Sequence, residues 1–262
     1  MVDEGITPPT KITESIYIPE ELQPEIEKHS SLEALDRNLE RLPAEERVSW
    51  AIKIFKDHIV LTSSFGAQSA VLLHMVTQRK PDIPVVLIDT GYLFPETYRF
   101  IDELTDRLKL NLYVARPELS PAWLEARYGK LWEQGIEGLK KYNTITKVIP
   151  LKKALQQLQA HAWIAGLRRS QSSTRRRLTV IGLQRDIVKI HPIIDWTDKQ
   201  VHTYLRMHDL PYHPLWYQGY LSIGDWHTSR PVTAEISEEQ SRFFGLQREC
   251  GIHENAIPTY EI

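Results

Sequence analysis

Short runs of consecutive apolar and β-branched residues, separated by amphipathic segments, constrain the fold of this 262-residue chain more than any other feature. The runs are Ile59–Thr62, Pro84–Ile88, residues 112–114 and Ala162–Ala165. Strands that are apolar along their whole length are buried on both faces, as in parallel sheets covered by helices. The sequence therefore predicts an α/β fold in which a parallel, twisted sheet is flanked by helices.

The segments around these strands repeat apolar residues at helical spacing. Two helices are predicted between Ser31 and Phe55, because leucines and other apolar residues recur there every three or four positions. Further helices are predicted over residues 69–78, from Pro95 to Leu108, up to Gln159, and over residues 197–208. Strands and helices that alternate in this way are typical of doubly covered parallel sheets.

Composition divides the chain into three parts. Residues 1–42 are predicted to comprise an extended or mobile acidic arm, up to residue 30, and a helix. Residues 43–210 are the predicted nucleotide-binding α/β domain. Residues 211–262 carry glycine, proline, aromatic and charged residues without a clear period, which predicts a mobile, loop-rich tail.

Charge and cysteine content exclude several classes of protein. The net charge of −2 argues against a nucleic-acid-binding protein. No apolar run approaches the roughly 18 residues that a membrane helix needs. The acidic N-terminus does not resemble a secretory or transit peptide, so we expect a cytoplasmic protein.

The single cysteine excludes an internal disulfide and an iron–sulfur cluster held by four cysteines of this chain. No histidine or carboxylate spacing predicts a metal site.

A hydroxyl-rich turn follows the first predicted strand. Residues 63–69 read Ser-Ser-Phe-Gly-Ala-Gln-Ser and lead into a predicted helix. Backbone N–H groups at a helix N-terminus, together with serine hydroxyls, can bind an anion. An ordinary capped turn would have the same composition, so the spacing alone leaves both interpretations open.

A basic cluster follows the last predicted strand. Residues 161–192 contain seven Lys or Arg residues and one acid, Asp186. Arg168 and Arg169 come directly after the strand, where parallel strands present their ligands. Arginine binds phosphate and sulfate oxygens in bidentate fashion. The alternatives are a solvated basic loop and a nucleic-acid-binding patch.

Cys250 lies in the irregular tail, between Glu249 and Gly251. A lone cysteine is usually a small buried apolar residue. Here its charged neighbours predict an exposed thiol, and Arg248 and His253 would favour the thiolate while Glu249 would oppose it. The residues alone leave a reactive nucleophile and an inert thiol equally open.

Four motifs in this order resemble the thioredoxin-dependent phosphoadenylyl-sulfate reductases of the enterobacterial type: residues 63–69, 89–97, 166–172 and 249–253. The resemblance extends from about residue 45 to residue 254. It implies an adenine nucleotide α-hydrolase-like fold, a homodimer and a role in sulfate assimilation and cysteine biosynthesis. It also implies a reaction in which 3′-phosphoadenylyl sulfate and reduced thioredoxin give sulfite, adenosine 3′,5′-bisphosphate and oxidised thioredoxin, through an S-sulfocysteine intermediate.

The resemblance also implies roles for individual residues. Cys250 corresponds to the catalytic nucleophile. Residues 63–69 correspond to a modified pyrophosphate loop, and residues 89–91 to the adenosine site. The substrate-binding residues expected on this basis are Ser63, Ser64, Phe65, Gly66, Gln68, Ser69, Asp89, Thr90, Gly91, Lys147, Arg168, Arg169, Gln171, Ser172, Arg242 and His253.

Two differences from related families reduce the number of possible reactions. Gln68 stands where ATP pyrophosphatases carry an aspartate that organises magnesium pyrophosphate, which favours attack at sulfur over cleavage of ATP. The single cysteine excludes the four-iron cluster of adenylyl-sulfate reductases. We therefore expect no tightly bound cofactor and no metal, with thioredoxin or glutaredoxin as electron donor. The alternatives are a cluster-free adenylyl-sulfate reductase and an ATP-pyrophosphatase-type adenylylating enzyme. Residues 175–177 are candidates for binding the 3′-phosphate.

Overall fold

A six-stranded sheet forms the centre of the protein, with the strand order β3-β2-β1-β4-β6-β5. The computed structural model describes residues 18–184, 187–237, 239–246 and 251–252. The strands are β1 (Ile59–Thr62), β2 (Pro84–Ile88), β3 (Asn111–Ala115), β4 (Ala162–Ala165), β5 (Ile181–Gln184) and β6 (Ile187–Ile190). The pairs β1–β2, β1–β4, β2–β3 and β4–β6 are parallel, and β5 runs antiparallel to β6 at the edge.

Helices precede the sheet, connect its strands and follow its last strand. They are α1 (Gln23–His29), α2 (Leu32–Glu40), α3 (Ala44–Phe55), α4 (Ala70–Thr77), α5 (Pro95–Leu108), α6 (Pro121–Tyr128), α7 (Gly135–Asn143), α8 (Ile149–Gln157) and α9 (Asp198–Met207). A π-helical segment, Thr144–Val148, joins α7 to α8. None of the helices in the described ranges is both long enough and apolar enough to cross a lipid bilayer.

The α/β architecture predicted from the sequence is confirmed, with an antiparallel edge that was not predicted. The four predicted strands are present, and β3 is one residue longer at each end. β5 and β6 were missed because Gly182 and Lys189 interrupt their apolar residues, and because β5 pairs with its neighbour in the opposite direction. A mixed sheet of this kind, mostly parallel with an antiparallel edge strand, is common in α/β folds.

The prediction of an extended arm up to residue 30 is wrong for Gln23–His29, which form α1. Leu22 is fully buried and Ile26 packs against the main core. Pro24 lies in the first turn, where a proline disturbs no helical hydrogen bond. The arm prediction missed this helix because one helical turn of apolar contacts is too short to show a clear period. Residues 1–17 lie outside the described part of the chain.

The central strands divide the core into two layers. Ile59 and Leu61 of β1 pack into the larger cluster on one face of the sheet, whereas Val60 packs with Val86 and Trp163 on the other face. Alternate residues of a strand point to opposite faces, so a strand covered on both sides must be apolar throughout. This is the physical origin of the continuous apolar runs in the sequence.

The sheet reverses its direction of growth between β1 and β4. From β1 the chain proceeds outward to β2 and β3, and then returns to the other side of β1 with β4. In open α/β sheets, ligands bind outside the carboxyl ends of the strands at such a reversal point. The turns that follow β1 and β4 are residues 63–69 and 166–172, the two anion-binding candidates of the sequence.

Candidate active site

A cleft of ≈ 280 Å³ opens at the reversal point between β1 and β4. Ten of the residues predicted to bind substrate line it: Ser63, Ser64, Gly66, Gln68, Ser69, Thr90, Lys147, Arg168, Gln171 and Arg242. Residues from both anion-binding candidates therefore face one space, together with a lysine from the π-helical segment and an arginine from the tail.

The turn after β1 presents hydroxyl groups to this cleft. Ser63 is held in register by its backbone N–H, which donates to the Val86 carbonyl at 3.1 Å. The Ser69 hydroxyl oxygen lies at the start of α4, is buried, and has no hydrogen-bond partner among the described residues. A buried hydroxyl is normally hydrogen-bonded, so the lining of the cleft offers an open donor for an anionic ligand.

Phe65 differs from the other residues of this turn. Its side chain is fully buried in the main core and does not line the cleft. Its φ of 49° is positive, and its backbone N–H donates to Ser63 Oγ at 3.1 Å. The ring of Phe65 therefore anchors the turn, whereas the neighbouring residues face the cleft, and its role in substrate binding stays a prediction.

Arg168 is a firmly held cation of the cleft wall, and it is 4% exposed. Its Nη2 donates to Gln68 Oε1 at 2.6 Å, so a neutral amide occupies the position opposite the guanidinium. Its Nη1 lies 2.9 Å from Oδ1 of Asp198, whose side chain is largely exposed at the start of α9. These contacts fix the guanidinium across the two turns, and its only carboxylate partner among the described residues is screened by solvent.

Lys147 reaches the cleft from the π-helical segment. Such segments are frequent at functional sites because the extra residue reorients one side chain. The ammonium lies 2.6 Å from Asp225 Oδ2 and donates to Asn143 Oδ1 at 3.2 Å. It also lies 5.2 Å from the ring centroids of both Tyr142 and Phe243. The lysine is thus held by a carboxylate, an amide and two aromatic faces.

Asp225 is a site residue that the sequence analysis did not identify. It is 1% exposed and accepts hydrogen bonds from Thr90 Oγ1 at 2.5 Å and from the Tyr142 hydroxyl at 3.0 Å. A backbone bridge to Leu93 holds it beside the end of β2. No signal in the sequence distinguishes it, because it is a single acid in an irregular segment whose partners are distant in the chain.

The electrostatics of this cluster follow from its burial. Burial raises the pKa of the Asp225 carboxyl, but the Lys147 charge and the hydrogen bonds from Lys147 and Thr90 outweigh this effect and lower the pKa to about 2. Burial and the adjacent carboxylate raise the pKa of Tyr142 well above its usual value. The site therefore holds an ionised aspartate and a phenol that remains a hydrogen-bond donor.

Arg242 enters the cleft from the tail. Its Nη1 donates to Ser222 Oγ at 3.2 Å, and its guanidinium lies 4.9 Å from the Phe243 ring centroid. A Cβ at Gly224 would lie 2.5 Å from Arg242 Nη2, so the loop before Asp225 closes tightly around the arginine. The tail therefore contributes both a cation and the buried carboxylate to the site.

Besides Phe65, four predicted residues lie outside the cleft lining: Asp89, Gly91, Arg169 and Ser172. The Asp89 carboxylate is occupied by Arg116 Nε at 3.1 Å and by the Tyr98 hydroxyl at 2.7 Å. Gly91 has a φ of +77°, and a Cβ there would lie 2.6 Å from Pro121 Cγ, so this glycine is required by packing. The position of a residue directly after a strand therefore does not decide whether its side chain lines the cleft.

The other two residues outside the lining, Arg169 and Ser172, make contacts within and around the turn that follows β4. Arg169 donates to the Leu178 carbonyl at 2.7 Å and pairs with Glu40, while Ser172 Oγ lies 2.8 Å from Thr174 Oγ1. Arg175 instead lines the cleft, and its Nη1 donates to Gln171 Oε1 at 2.6 Å. Of the surplus arginines 175–177, Arg175 is the one that reaches the site.

The comparison with known proteins decides the family. Residues 58–231 match the sequence model of the phosphoadenosine phosphosulfate reductase domain. The chain belongs to this family. It is 61% identical over 223 residues to a phosphoadenosine 5′-phosphosulfate reductase of Alkalilimnicola ehrlichii, covering 85% of this chain and 91% of the relative. It is 58% identical over 231 residues to the protein of the same name from Zymomonas mobilis, covering 88% and 95%.

Solved structures agree with the observed fold. A phosphoadenylyl-sulfate reductase from Candida auris, in a phosphate complex, superposes with a TM-score of 0.67 at 28% identity, covering 82% of this chain and all of that chain. An FMN adenylyltransferase from Candida glabrata superposes with a TM-score of 0.53 at 17% identity, covering 76% and 70%, which shows a shared fold alone. The adenine nucleotide α-hydrolase-like fold expected for the reductase family is thereby confirmed.

Two site residues expected for a reductase of this family, Cys250 and His253, lie outside the described residues. The described residues between them, Gly251 and Ile252, lie at the site: Ile252 lines the cleft, and a Cβ on Gly251 would lie 3.5 Å from Val148 Cγ2. Within the described part of the chain, no three His, Cys, Asp or Glu side chains are grouped closely enough to hold a metal ion.

Proposed function

We propose that this chain reduces 3′-phosphoadenylyl sulfate to sulfite and adenosine 3′,5′-bisphosphate, with reduced thioredoxin as the electron donor. Family membership supports the substrate class, since both bacterial relatives bear the name phosphoadenosine 5′-phosphosulfate reductase. The observation that carries the proposal is that Lys147, Arg168 and Arg242 line one cleft together with the hydroxyl-rich turn.

The charge of the cleft suits a phosphosulfate. Mutual repulsion between an anionic nucleophile and an anionic substrate is severe in a partly desolvated site. Fixed cations that face the developing charge reduce it without rearranging during the reaction. Gln68 contributes by remaining neutral, because a carboxylate at its position would neutralise Arg168, which its amide contacts at 2.6 Å. Because Gln68 stands where ATP pyrophosphatases carry an aspartate, the cleft also lacks the acid that would organise magnesium pyrophosphate at this position.

Cys250 is the proposed nucleophile. Its thiolate attacks the sulfur of the substrate, the sulfur–oxygen bond to the phosphate breaks, and adenosine 3′,5′-bisphosphate leaves. The product on the protein is an S-sulfocysteine. Support comes from Gly251 and Ile252, the next two residues in the chain, which lie against the cleft.

The second half of the reaction needs an external dithiol. One thiolate of thioredoxin attacks the Cys250 sulfur, expels sulfite and forms a mixed disulfide, which the second thioredoxin thiol resolves. The chain contains one cysteine and so cannot supply the resolving thiol itself. Glutaredoxin would satisfy the same chemistry and belongs in the assay as an alternative donor.

The test compares sulfite release from 3′-phosphoadenylyl sulfate and from adenylyl sulfate, with reduced thioredoxin or glutaredoxin. We expect turnover with the phosphorylated nucleotide and none with Cys250→Ser, which should still bind adenosine 3′,5′-bisphosphate. Without reductant, mass spectrometry should find an adduct of about 80 Da, the mass of SO₃, on Cys250. Wild-type rates in the Cys250→Ser protein would refute the proposal. Preference for adenylyl sulfate would favour the cluster-free alternative, and magnesium-dependent pyrophosphate release from ATP would favour an adenylylating enzyme.

The preference for the 3′-phosphate is proposed to depend on Arg175. It lines the cleft, and its Nη1 donates to Gln171 Oε1. Arg175→Gln should raise KM for 3′-phosphoadenylyl sulfate while leaving KM for adenylyl sulfate unchanged. The homodimer and the cytoplasmic location also remain predictions, for which sedimentation and cell fractionation are the direct measurements.

A further inference from the structure

The backbone carbonyl of Ile252 receives two side-chain donors from the edge of the sheet. Gln184 Nε2 of β5 donates to it at 3.3 Å, and Lys189 Nζ of β6 donates at 3.4 Å. In the antiparallel pairing Gly182 is opposite Lys189 and Gln184 is opposite Ile187, so both donor side chains extend from the same face. Two adjacent strands thus direct polar groups to one acceptor near the end of the chain.

Lys189 is an unusual residue for this position. It is 6% exposed, and its ammonium lies 4.6 Å from the ring centroid of Trp163, its neighbour in register on β4. A buried ammonium is costly unless oxygen acceptors or aromatic faces surround it. The Ile252 carbonyl is one such acceptor and the Trp163 ring is one such face, so docking of this segment contributes to the stabilisation of the buried ammonium.

The Ile252 side chain completes the contact. It packs against the apolar cluster that contains Val60, Leu151 and Trp163, and it also lines the cleft. Gly251 has a φ of +80° and lies against Val148, the residue after Lys147. The segment is therefore held through its backbone and one apolar side chain, directly beside the cations of the site.

We propose that Lys189 and Gln184 are positioning residues, which hold Gly251–Ile252 against the cleft and so control the reach of the adjacent Cys250. The chemical role of Cys250 rests on the proposed function, but the docking does not. Among the described residues, two hydrogen bonds and one aliphatic side chain hold this segment, an attachment that suits a thiol which must serve first the nucleotide and then an external dithiol.

The only cysteine of the chain makes a single-site reporter of this docking. The rate of Cys250 alkylation by iodoacetamide is measured against pH, and variants are compared at the high-pH plateau, where the thiol is fully ionised. Lys189→Met and Gln184→Ala should each raise the plateau roughly three- to tenfold, the range expected for one lost hydrogen bond to a docked segment. An unchanged plateau in both variants would overturn the proposal.

Two controls separate the loss of docking from a general effect of charge. Lys153→Met removes an exposed lysine of α8 that pairs with Glu118, and it should leave the plateau unchanged. Gln184→Ala alters no charge, so its effect cannot arise from electrostatics at the thiol. Thermal unfolding of each variant establishes that the fold is intact before the rates are compared.

Steady-state kinetics separate this proposal from the proposed function. Since the cleft cations are untouched, Lys189→Met and Gln184→Ala should lower kcat for sulfite release about three- to tenfold and leave KM for the nucleotide unchanged. If the wild-type protein forms no sulfite, the proposed function fails, while the alkylation plateau still tests the docking. If sulfite forms and neither kcat nor the plateau responds, the positioning role is wrong.

Discussion

The ammonium of Lys147 lies 2.6 Å from Oδ2 of Asp225, and both side chains are more than nine-tenths buried. The lysine comes from the helical part of the chain and the aspartate from the irregular tail. Thr90, at the end of β2, donates to the same carboxylate. This pair therefore joins three separate segments of the chain at the floor of the cleft, and it sets the direction in which the lysine approaches a bound anion.

Loss of either member of this pair should destabilise the protein. Lys147→Met and Asp225→Asn each remove one partner of a buried ion pair, which costs about 3–5 kcal/mol because the remaining charge is uncompensated. The double variant should lose less free energy of unfolding than the sum of the single variants. Urea denaturation of all four proteins gives the coupling energy, and strict additivity would contradict the pairing.

Acidification should destabilise the protein in part through His227. This ring packs 3.8 Å from Trp132 and 4.9 Å from Tyr92, centroid to centroid, and neither of its nitrogens has a hydrogen-bond partner among the described residues. Burial lowers the pKa of His227 from 6.5 to about 4. The Lys147 charge acts in the same direction, and the Asp225 carboxylate opposes it. As the pH falls, His227 is therefore protonated in the unfolded chain before it is protonated in the folded protein. Its contribution to the free energy of unfolding is fully present above pH 6.5 and is lost as the pH falls from 6.5 to about 4.

The size of this effect is testable with one substitution. His227→Phe should remove about 3 kcal/mol of the decrease in the free energy of unfolding between pH 7 and pH 4. The phenyl ring suits the aromatic surroundings, so stability at pH 8 should change little. His202→Gln, at an exposed histidine, is the control. A pH dependence that is identical in wild type and His227→Phe would show that this ring does not titrate in that range.

Arg47 should be among the residues most important for stability. It is 2% exposed and uses all five donors: two bonds of 2.7 Å to the Asp195 carboxylate, and others to the carbonyls of Leu39, Glu40 and Pro192. Arg47→Met leaves these acceptors unsatisfied and should cost about 3–5 kcal/mol. Asp195→Asn keeps the carbonyl bonds and should cost less, as measured by urea unfolding. Equal losses would assign the effect to the ion pair alone.

A negative charge at position 68 should impair substrate binding. Gln68→Glu keeps the side-chain length and places a carboxylate against Arg168, which the amide oxygen now contacts at 2.6 Å. Neutralising this guanidinium should raise KM for 3′-phosphoadenylyl sulfate about tenfold or more. Gln68→Ala removes the amide without adding charge and should raise KM less. A KM for Gln68→Glu equal to that of wild type would remove Arg168 from the proposed binding site.

Local pattern was sufficient to predict the central strands and the edge of the sheet where the cleft lies. Ile59–Thr62 and Ala162–Ala165 are apolar throughout because both faces are covered, and the polar turns after them meet because parallel strands end at one edge. The motifs in these turns and in the tail also indicated the family. These features could be predicted because each depends on residues that are close in the sequence.

The contacts between the side chains of the site depend on tertiary packing. The sequence could not show that Asp89 turns toward Arg116 while Thr90 turns toward Asp225, since adjacent residues after a strand differ only in which neighbours they meet. Nor could it show that Asp225 pairs with Lys147, or that Lys189 meets Ile252. Contacts between residues distant in the chain leave no periodic signal, and a buried charge gains its partner only when the folded chain brings the two together.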